Sequence, residues 1–228
     1  MQSPAYILHT RPYKETSALV DLFTPEGRVR AVLRSARSKK GSLARPFVLL
    51  DVELKGRSEL KTLAQLESGG QFYLLQGERL FCALYLNELL MRMLPLADAQ
   101  PVVFQHYEIT LQALAQEHAL EPLLRTFEWR LLEQLGYGFS LTHDIQEMPI
   151  DMRYWYALQP DAGFERLSRV LPGAFLGADL HSLAATQWQQ PEVLQAAKRL
   201  MRQALAPHLG QRPLMSRELF LTQKELSS

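Results

Sequence analysis

The residues of this 228-residue chain with the chemistry for a catalytic or metal site are six histidines, one cysteine and a few paired carboxylates. His9, His106, His118, His143, His181 and His208 are scattered along the chain. Only His143 beside Asp144 suggests a ligand pair, and a structural metal site needs two more donors. Cys82 lies in the apolar run LFCALYLNELL, so neither an intrachain disulfide nor a multi-cysteine zinc site can form, and it reads as a small core residue. Asp51 and Glu53 share a strand face, as solvent-facing carboxylates commonly do. Gly69-Gly70 lacks the Lys-Ser/Thr that completes a phosphate-binding loop, and no Gly-x-Ser-x-Gly elbow occurs. The chain is therefore read as non-enzymatic, with no cofactor and no metal.

The chemistry that does stand out is cationic. Gly27–Arg45, GRVRAVLRSARSKKGSLAR, carries Arg28, Arg30, Arg34, Arg37, Lys39, Lys40 and Arg45 without one carboxylate. If residues 28–34 are extended, the period of two sends Val29, Ala31 and Leu33 to one face and Arg28, Arg30, Val32 and Arg34 to the other. That describes a half-buried strand with a mostly cationic outer face. Residues 35–43 follow with Ser, Gly and Lys and no apolar run, and are expected to form a mobile loop adding Arg37, Lys39 and Lys40 to the patch. A polyanion is the natural partner, nucleic acid above all. The competing reading is a solvated strand whose charges serve solubility.

Composition narrows the setting. With 47% hydrophobic and 21% charged residues, the chain is an ordinary globular protein, long enough for one large or two small domains. Its net charge of +1 hides an asymmetry, because residues 1–65 carry +6 and the remainder −5. The first third is thus the expected polyanion-binding part. The start, MQSPAYILHTRP, lacks the pattern of a signal peptide, no apolar run approaches membrane-spanning length, and a cytoplasmic location is expected.

The elements that must hold the cationic stretch can be read in order. Ala5–Thr10 is a strand expected to end before Arg11-Pro12, since proline interrupts a central ladder. Ser17–Phe23 is a second, joined to the basic strand by the turn Thr24-Pro25-Glu26-Gly27. Val48–Leu54 and Glu59–Leu66 follow. Five short strands with no helical period between them predict a small closed barrel such as an OB-fold over residues 1–76. After Ser68-Gly69-Gly70 the period becomes helical. Glu78–Leu94, Pro101–His118 and Glu121–Leu135 are predicted helices in a compact bundle. Residues 138–182, rich in aromatics, Gly and Pro, predict turns and short irregular strands packed on it. Pro191–Pro207 is helical again, and the tail RPLMSRELF keeps enough apolar residues to dock. Residues 77–228 thus read as a helical domain.

This order of parts resembles a known family. HTRPYKETSALVDLFTPEGRVRAVLRSARSKK, LARPFVLLDVELKGRSELKTLAQLE, LYLNELLMRML, LLRTFEWRLLEQLGYG and LMSRELF together resemble RecO, the bacterial recombination mediators, over nearly the whole chain. The resemblance is weakest over 144–190. It implies an N-terminal OB-fold, a helical domain and a zinc-ribbon-like insertion, here at about 138–185. It also implies binding of single- and double-stranded DNA, strand annealing, and recombinase loading with the partner RecR in DNA repair and recombination. The acidic C-terminal tail of single-strand DNA-binding protein is a further implied partner, and a nucleoid-associated location follows. Many relatives carry four zinc-binding cysteines after the LeuGlyTyr motif. Here Leu141-Thr142-His143-Asp144-Ile145-Gln146 and all that follows have none, so a degenerate, metal-free insertion is expected.

The expected DNA contacts are Arg28, Arg30, Arg34, Arg37, Lys39, Lys40 and Arg45, with Arg11 joining from the end of the first strand. Tyr13, flanked by Arg11-Pro12 and Lys14-Glu15, either stacks on bases or covers a barrel end; both remain open. For the acidic tail, whose end is apolar, Arg125, Trp129 and Leu132 share a flank of one helix, while Lys198, Arg199 and Arg202 line the outer side of another. Two rival functions are a protein-only adaptor that docks an acidic protein and an RNA-binding OB-fold protein.

Overall fold

The computed structural model describes residues 2–34, 36, 38, 41–116, 118–185 and 190–219. Five strands, β1 (Gln2–Tyr13), β2 (Ser17–Thr24), β3 (Gly27–Leu33), β4 (Val48–Lys55) and β5 (Leu60–Phe72), close a barrel in the order β1-β2-β3-β5-β4. β4 pairs back onto β1, and only β3 and β5 run parallel. This is the expected OB-fold. Its interior is filled by Ala5, Ile7, Val20, Leu22, Ala31, Leu33, Val48, Leu50, Val52, Leu63 and Leu66. Each large aliphatic side chain buried there is worth about 1.5–3 kcal/mol against exposure.

The β2–β3 hairpin closes at the expected turn. Gly27 takes φ 111°, and a Cβ on it would fall 2.1 Å from the Asp98 carbonyl oxygen. The Thr24 hydroxyl donates to the Gly27 carbonyl at 3.1 Å. Glycine is therefore required here on two counts, backbone angle and close approach.

Two strands outrun their expected ends. β1 continues through Arg11-Pro12 to Tyr13, because its ladder with β4 involves only Gln2–Ala5 while its ladder with β2 runs from Tyr6 to Tyr13. Beyond Ala5, then, β1 has one ladder, and a proline missing its N–H is tolerated there. β5 likewise runs through Ser68-Gly69-Gly70, where its register with β4 shifts.

The described residues form two compact units, one from Met1–His118 with Gln211–Ser228, the other Ala119–Gly210. These limits fall elsewhere than the 76/77 boundary expected from sequence. In the first unit α1 (Gly77–Met93) and α2 (Pro101–Ala115) pack on the barrel's outer surface. The rings of Tyr6 and Phe23 meet those of Phe104 and Tyr107 at centroid distances of 5.3–6.0 Å. A buried polar relay joins the layers: the Tyr107 hydroxyl donates to Asn87, whose amide donates to the Leu8 carbonyl at 2.9 Å. Burial pushes both the Tyr6 and Tyr107 hydroxyls far above the usual phenol range, with Glu108 adding to the effect on Tyr6. The unit is completed by the chain after residue 210. There the Glu88 carboxylate accepts from the Met215 and Ser216 amides and the Ser216 hydroxyl, and Arg92 donates to the Pro213 carbonyl. The tail thus docks as expected, but by hydrogen bonds more than by its apolar side chains, since Met215 is 64% exposed.

The second unit holds α3 (Leu120–Gln134) and α5 (Pro191–Leu209) packed together, a small sheet of β6 (Trp155–Gln159), β7 (Gly163–Arg166) and β8 (Phe175–Leu176), and α4 (Gly177–Ala184). The short strands in 138–182 match expectation; α4 is an addition. The expected bundle of the first three helices is corrected, since α1 and α2 belong to the barrel unit and α3 pairs with α5.

Candidate nucleic-acid interface

Residues opposed across neighbouring strands share a face of the sheet, so the ladders sort the cationic side chains into rows. One outward row is Tyr6, Phe23 and Arg28. The next is His9, Asp21, Arg30 and Leu60, then Arg11, Leu19, Val32 and Thr62, and finally Tyr13 with Ser17. Arg34, one residue past the Ala18–Leu33 pair, continues toward the last row.

The rows differ in what covers them. The first lies under α1 and α2, and Arg28 is buried with its guanidinium donating to the Met91 carbonyl on α1. Burial holds its pKa below the usual guanidinium range, with Arg30 adding to the drop and Asp21 opposing it. The sequence expectation for Arg28 is therefore corrected: it faces outward from the barrel, yet a helix occupies the space that a phosphate would need. Arg30 is 45% exposed, 3.5 Å from Asp21 and 3.7 Å from Glu59. Glu59 is 70% exposed and that pair contributes about 0–1 kcal/mol, whereas the Asp21 carboxylate is only 8% exposed and keeps Arg30 as its partner. Arg11 and Arg34 are exposed. Tyr13 is half-exposed, and Lys14, at φ 54° in the β1–β2 turn, sets its ammonium 5.3 Å from the Tyr13 ring. Sequence reasoning used Lys14 only as a flank; the turn angle that folds it over the ring carries no signal of its own.

The loop after β3 is anchored in its described residues, against the expectation of a mobile loop. The Ala36 amide donates to the Thr16 carbonyl in the β1–β2 turn at 2.8 Å, so loop and turn lie together. Gly41 and Ser42 donate to Ser38, a 3-10 turn follows at Gly41–Leu43, and Ala36, Leu43 and Ala44 pack against the barrel core. Arg37, Lys39 and Lys40 lie outside the described residues. Arg45, at the loop's exit, stacks its guanidinium 4.6 Å from the ring centroid of Phe72. Phe72 was missed in sequence because it follows Gly69-Gly70, where the strand pattern was taken to end.

The six residues expected to bind an acidic tail are all in the second unit, in different settings. Arg125 is buried and paired at 2.8 Å with the fully buried Glu128, and Leu132 is buried, so these two turn inward and leave the expected surface flank. Trp129 is half-buried, edge-on to Phe139 at 5.2 Å. Lys198 meets Glu121 of α3 at 2.6 Å, across the packed pair of α3 and α5. Arg199 lies 4.0 Å from Asp179 and stacks 4.4 Å from the Phe175 centroid, while Arg202 is exposed.

The His143-Asp144 pair is a turn. The Asp144 carboxylate accepts from the Gln146 and Met148 amides, and the His143 ring meets the Thr142 hydroxyl at 3.1 Å. Among the described residues no group of three or more His, Cys, Asp or Glu side chains could hold a metal ion.

Comparison with known proteins covers both parts of the chain. Family models described as "Recombination protein O N terminal" and "Recombination protein O C terminal" match residues 1–72 and 74–218. The chain is 62% identical over 225 residues to the DNA repair protein RecO of Stutzerimonas stutzeri, covering 99% of this chain and 95% of the relative. It is 64% identical over 217 residues to the protein of that name from Pseudomonas putida strain W619, covering 95% and 96%. The corresponding protein of Pseudomonas aeruginosa strain PAO1 is 62% identical over 220 residues, covering 96% and 94%.

Proposed function

The chain belongs to the RecO family of DNA repair proteins, and from that premise we propose that it is a recombination mediator and not an enzyme. It binds single- and double-stranded DNA, anneals complementary strands, and with RecR helps to load recombinase onto strands coated by single-strand DNA-binding protein. The observation that carries this reading is the run of outward rows on one barrel face that presents Arg30, Arg11 and Tyr13 in succession, with Arg34 beyond, beside the anchored basic loop. Arg37, Lys39, Lys40 and Arg45 extend the same cationic stretch in sequence. Contacts from such side chains go to phosphates, giving affinity without sequence preference. Annealing follows from charge neutralisation: two strands on one cationic surface repel each other less and can pair.

The acidic tail of single-strand DNA-binding protein is assigned to the helical surface of the second unit, at Lys198, Arg199 and Arg202 with the half-buried Trp129. No helix among the described residues is long and apolar enough to cross a membrane. A DNA partner places the protein in the cytoplasm at the nucleoid.

The test is filter binding of single-stranded DNA, duplex DNA and RNA at several salt concentrations, with Arg34→Glu, Arg37→Glu as the variant. Both DNAs bind the unaltered chain, and the double variant loses affinity and flattens the salt slope by about one to two units, since each phosphate contact contributes roughly 0.7–0.9. Preference for RNA points to an RNA-binding OB-fold protein. Binding of neither nucleic acid points to a protein-only adaptor.

A further inference from the structure

We propose that Phe72, held by Arg45 at the exit of the basic loop, is a stacking platform for an unpaired base and is what separates single strands from duplex on this barrel. The inference rests on the DNA-binding reading above and deepens it. Phe72 is the last residue of β5 and is 46% exposed. The Tyr73 amide donates to the Phe47 carbonyl at 3.0 Å, which locks the end of β5 to the segment leaving the loop. Tyr73 and Leu75 are buried while Phe72 and Leu74 are not, with Leu74 70% exposed, so alternation turns Phe72 and Leu74 together away from the core.

That leaves an aromatic ring with an aliphatic neighbour at the surface and a guanidinium at 4.6 Å from its centroid. A cation over one face holds the ring in place and adds its own attraction for a nucleotide's phosphate and base. A base that stacks on the ring needs its π-face free, which an unpaired strand offers and a duplex interior does not. A strand with a phosphate on Arg45 therefore arrives at Phe72. The alternative is that Arg45 and Phe72 merely cover each other.

The experiment measures fluorescence anisotropy of three labelled ligands on the full chain: a single-stranded oligonucleotide, its duplex, and a single strand of abasic sites with the same number of phosphates. Phe72→Ala is expected to weaken the ordinary single strand about tenfold, the scale of one lost base–aromatic stack, and to change duplex and abasic binding less than twofold. Phe72→Tyr keeps the π-face and restores single-strand affinity; Phe72→Leu keeps apolar bulk and does not. The exposed position makes all three foldable, which thermal melting checks. An unchanged ratio of single-strand to duplex affinity in Phe72→Ala overturns the proposal, as does an equal loss for the abasic strand. If the unaltered chain binds neither DNA, the reading beneath it falls first, and that result is distinct from either of the others.

Discussion

At the scale of single residues, the role of a cation on this barrel is decided by the cross-strand row it occupies. Arg28, in β3, and Arg34, one residue past its end, are six residues apart, yet Arg28 is buried beneath α1 and Arg34 is exposed. Arg28→Ala should therefore act on stability. Loss of its hydrogen bond to the Met91 carbonyl is expected to lower the unfolding free energy by about 1–3 kcal/mol in urea melts. The salt slope of DNA binding should not change, whereas a slope that falls as in the Arg34 variant would return Arg28 to the interface. Period-two alternation correctly put Arg28 on the outer face. What it cannot express is cover, because the helix that buries Arg28 lies 63 residues further along the chain.

At the scale of elements, the tail's attachment to α1 is an electrostatic latch with a defined pH response. Burial by itself raises the Glu88 carboxyl, but donation from the Ser216 amide and hydroxyl, the Met215 amide and Arg92 outweighs it and holds the pKa below the usual carboxylate range. A lowered folded pKa means that the stability contributed by Glu88 is complete above the unfolded value of about 4.3. It fades as pH falls through the lower folded value. Glu88→Gln mimics the protonated state at neutral pH and should reduce hydrogen-exchange protection of the Met215 and Ser216 amides while the barrel amides keep theirs. Protection that persists in the variant would show that the tail is held by other contacts. Docking of the tail was legible from its apolar residues, but the anchor was not, since a glutamate in a helix reads equally well as solvated surface. Pro12 offers the converse case, in which a rule about central strands was applied to a strand that has only one partner at that point.

For the whole molecule, the sequence reads most clearly where pattern is local and least where a unit is assembled from distant pieces. The five barrel strands were legible from alternation and turn residues, and α1, α2, α3 and α5 from their period, but α4 was not. The grouping of helices was not, because α1, α2 and α3 have similar apolar stripes and nothing in a stripe names its partner. The second unit's outer helical surface carries the remaining prediction. Lys198→Glu with Arg202→Glu should weaken an acidic peptide with an apolar end by roughly two- to tenfold, as expected for solvated charges, and leave DNA binding intact. Arg125→Ala should instead destabilise the unit by about 3–5 kcal/mol, since it strands a buried carboxylate. A fluorescent peptide titration and a melt on each variant separate the two. Loss of peptide binding only in the Arg34, Arg37 variant would move that partner to the barrel.

The latch also has a history in time. Glu88 and Ser216 are 128 positions apart, and the whole of Ala119–Gly210 is made between them. At about 5–20 residues per second on the ribosome, α1 waits roughly 6–25 s for its last contact. During that interval Arg92, one helical turn away and 2.5 Å from the carboxylate, is already present to hold it. The α1 carboxylate is thus held by its own i,i+4 partner until the tail that completes its hydrogen bonds emerges.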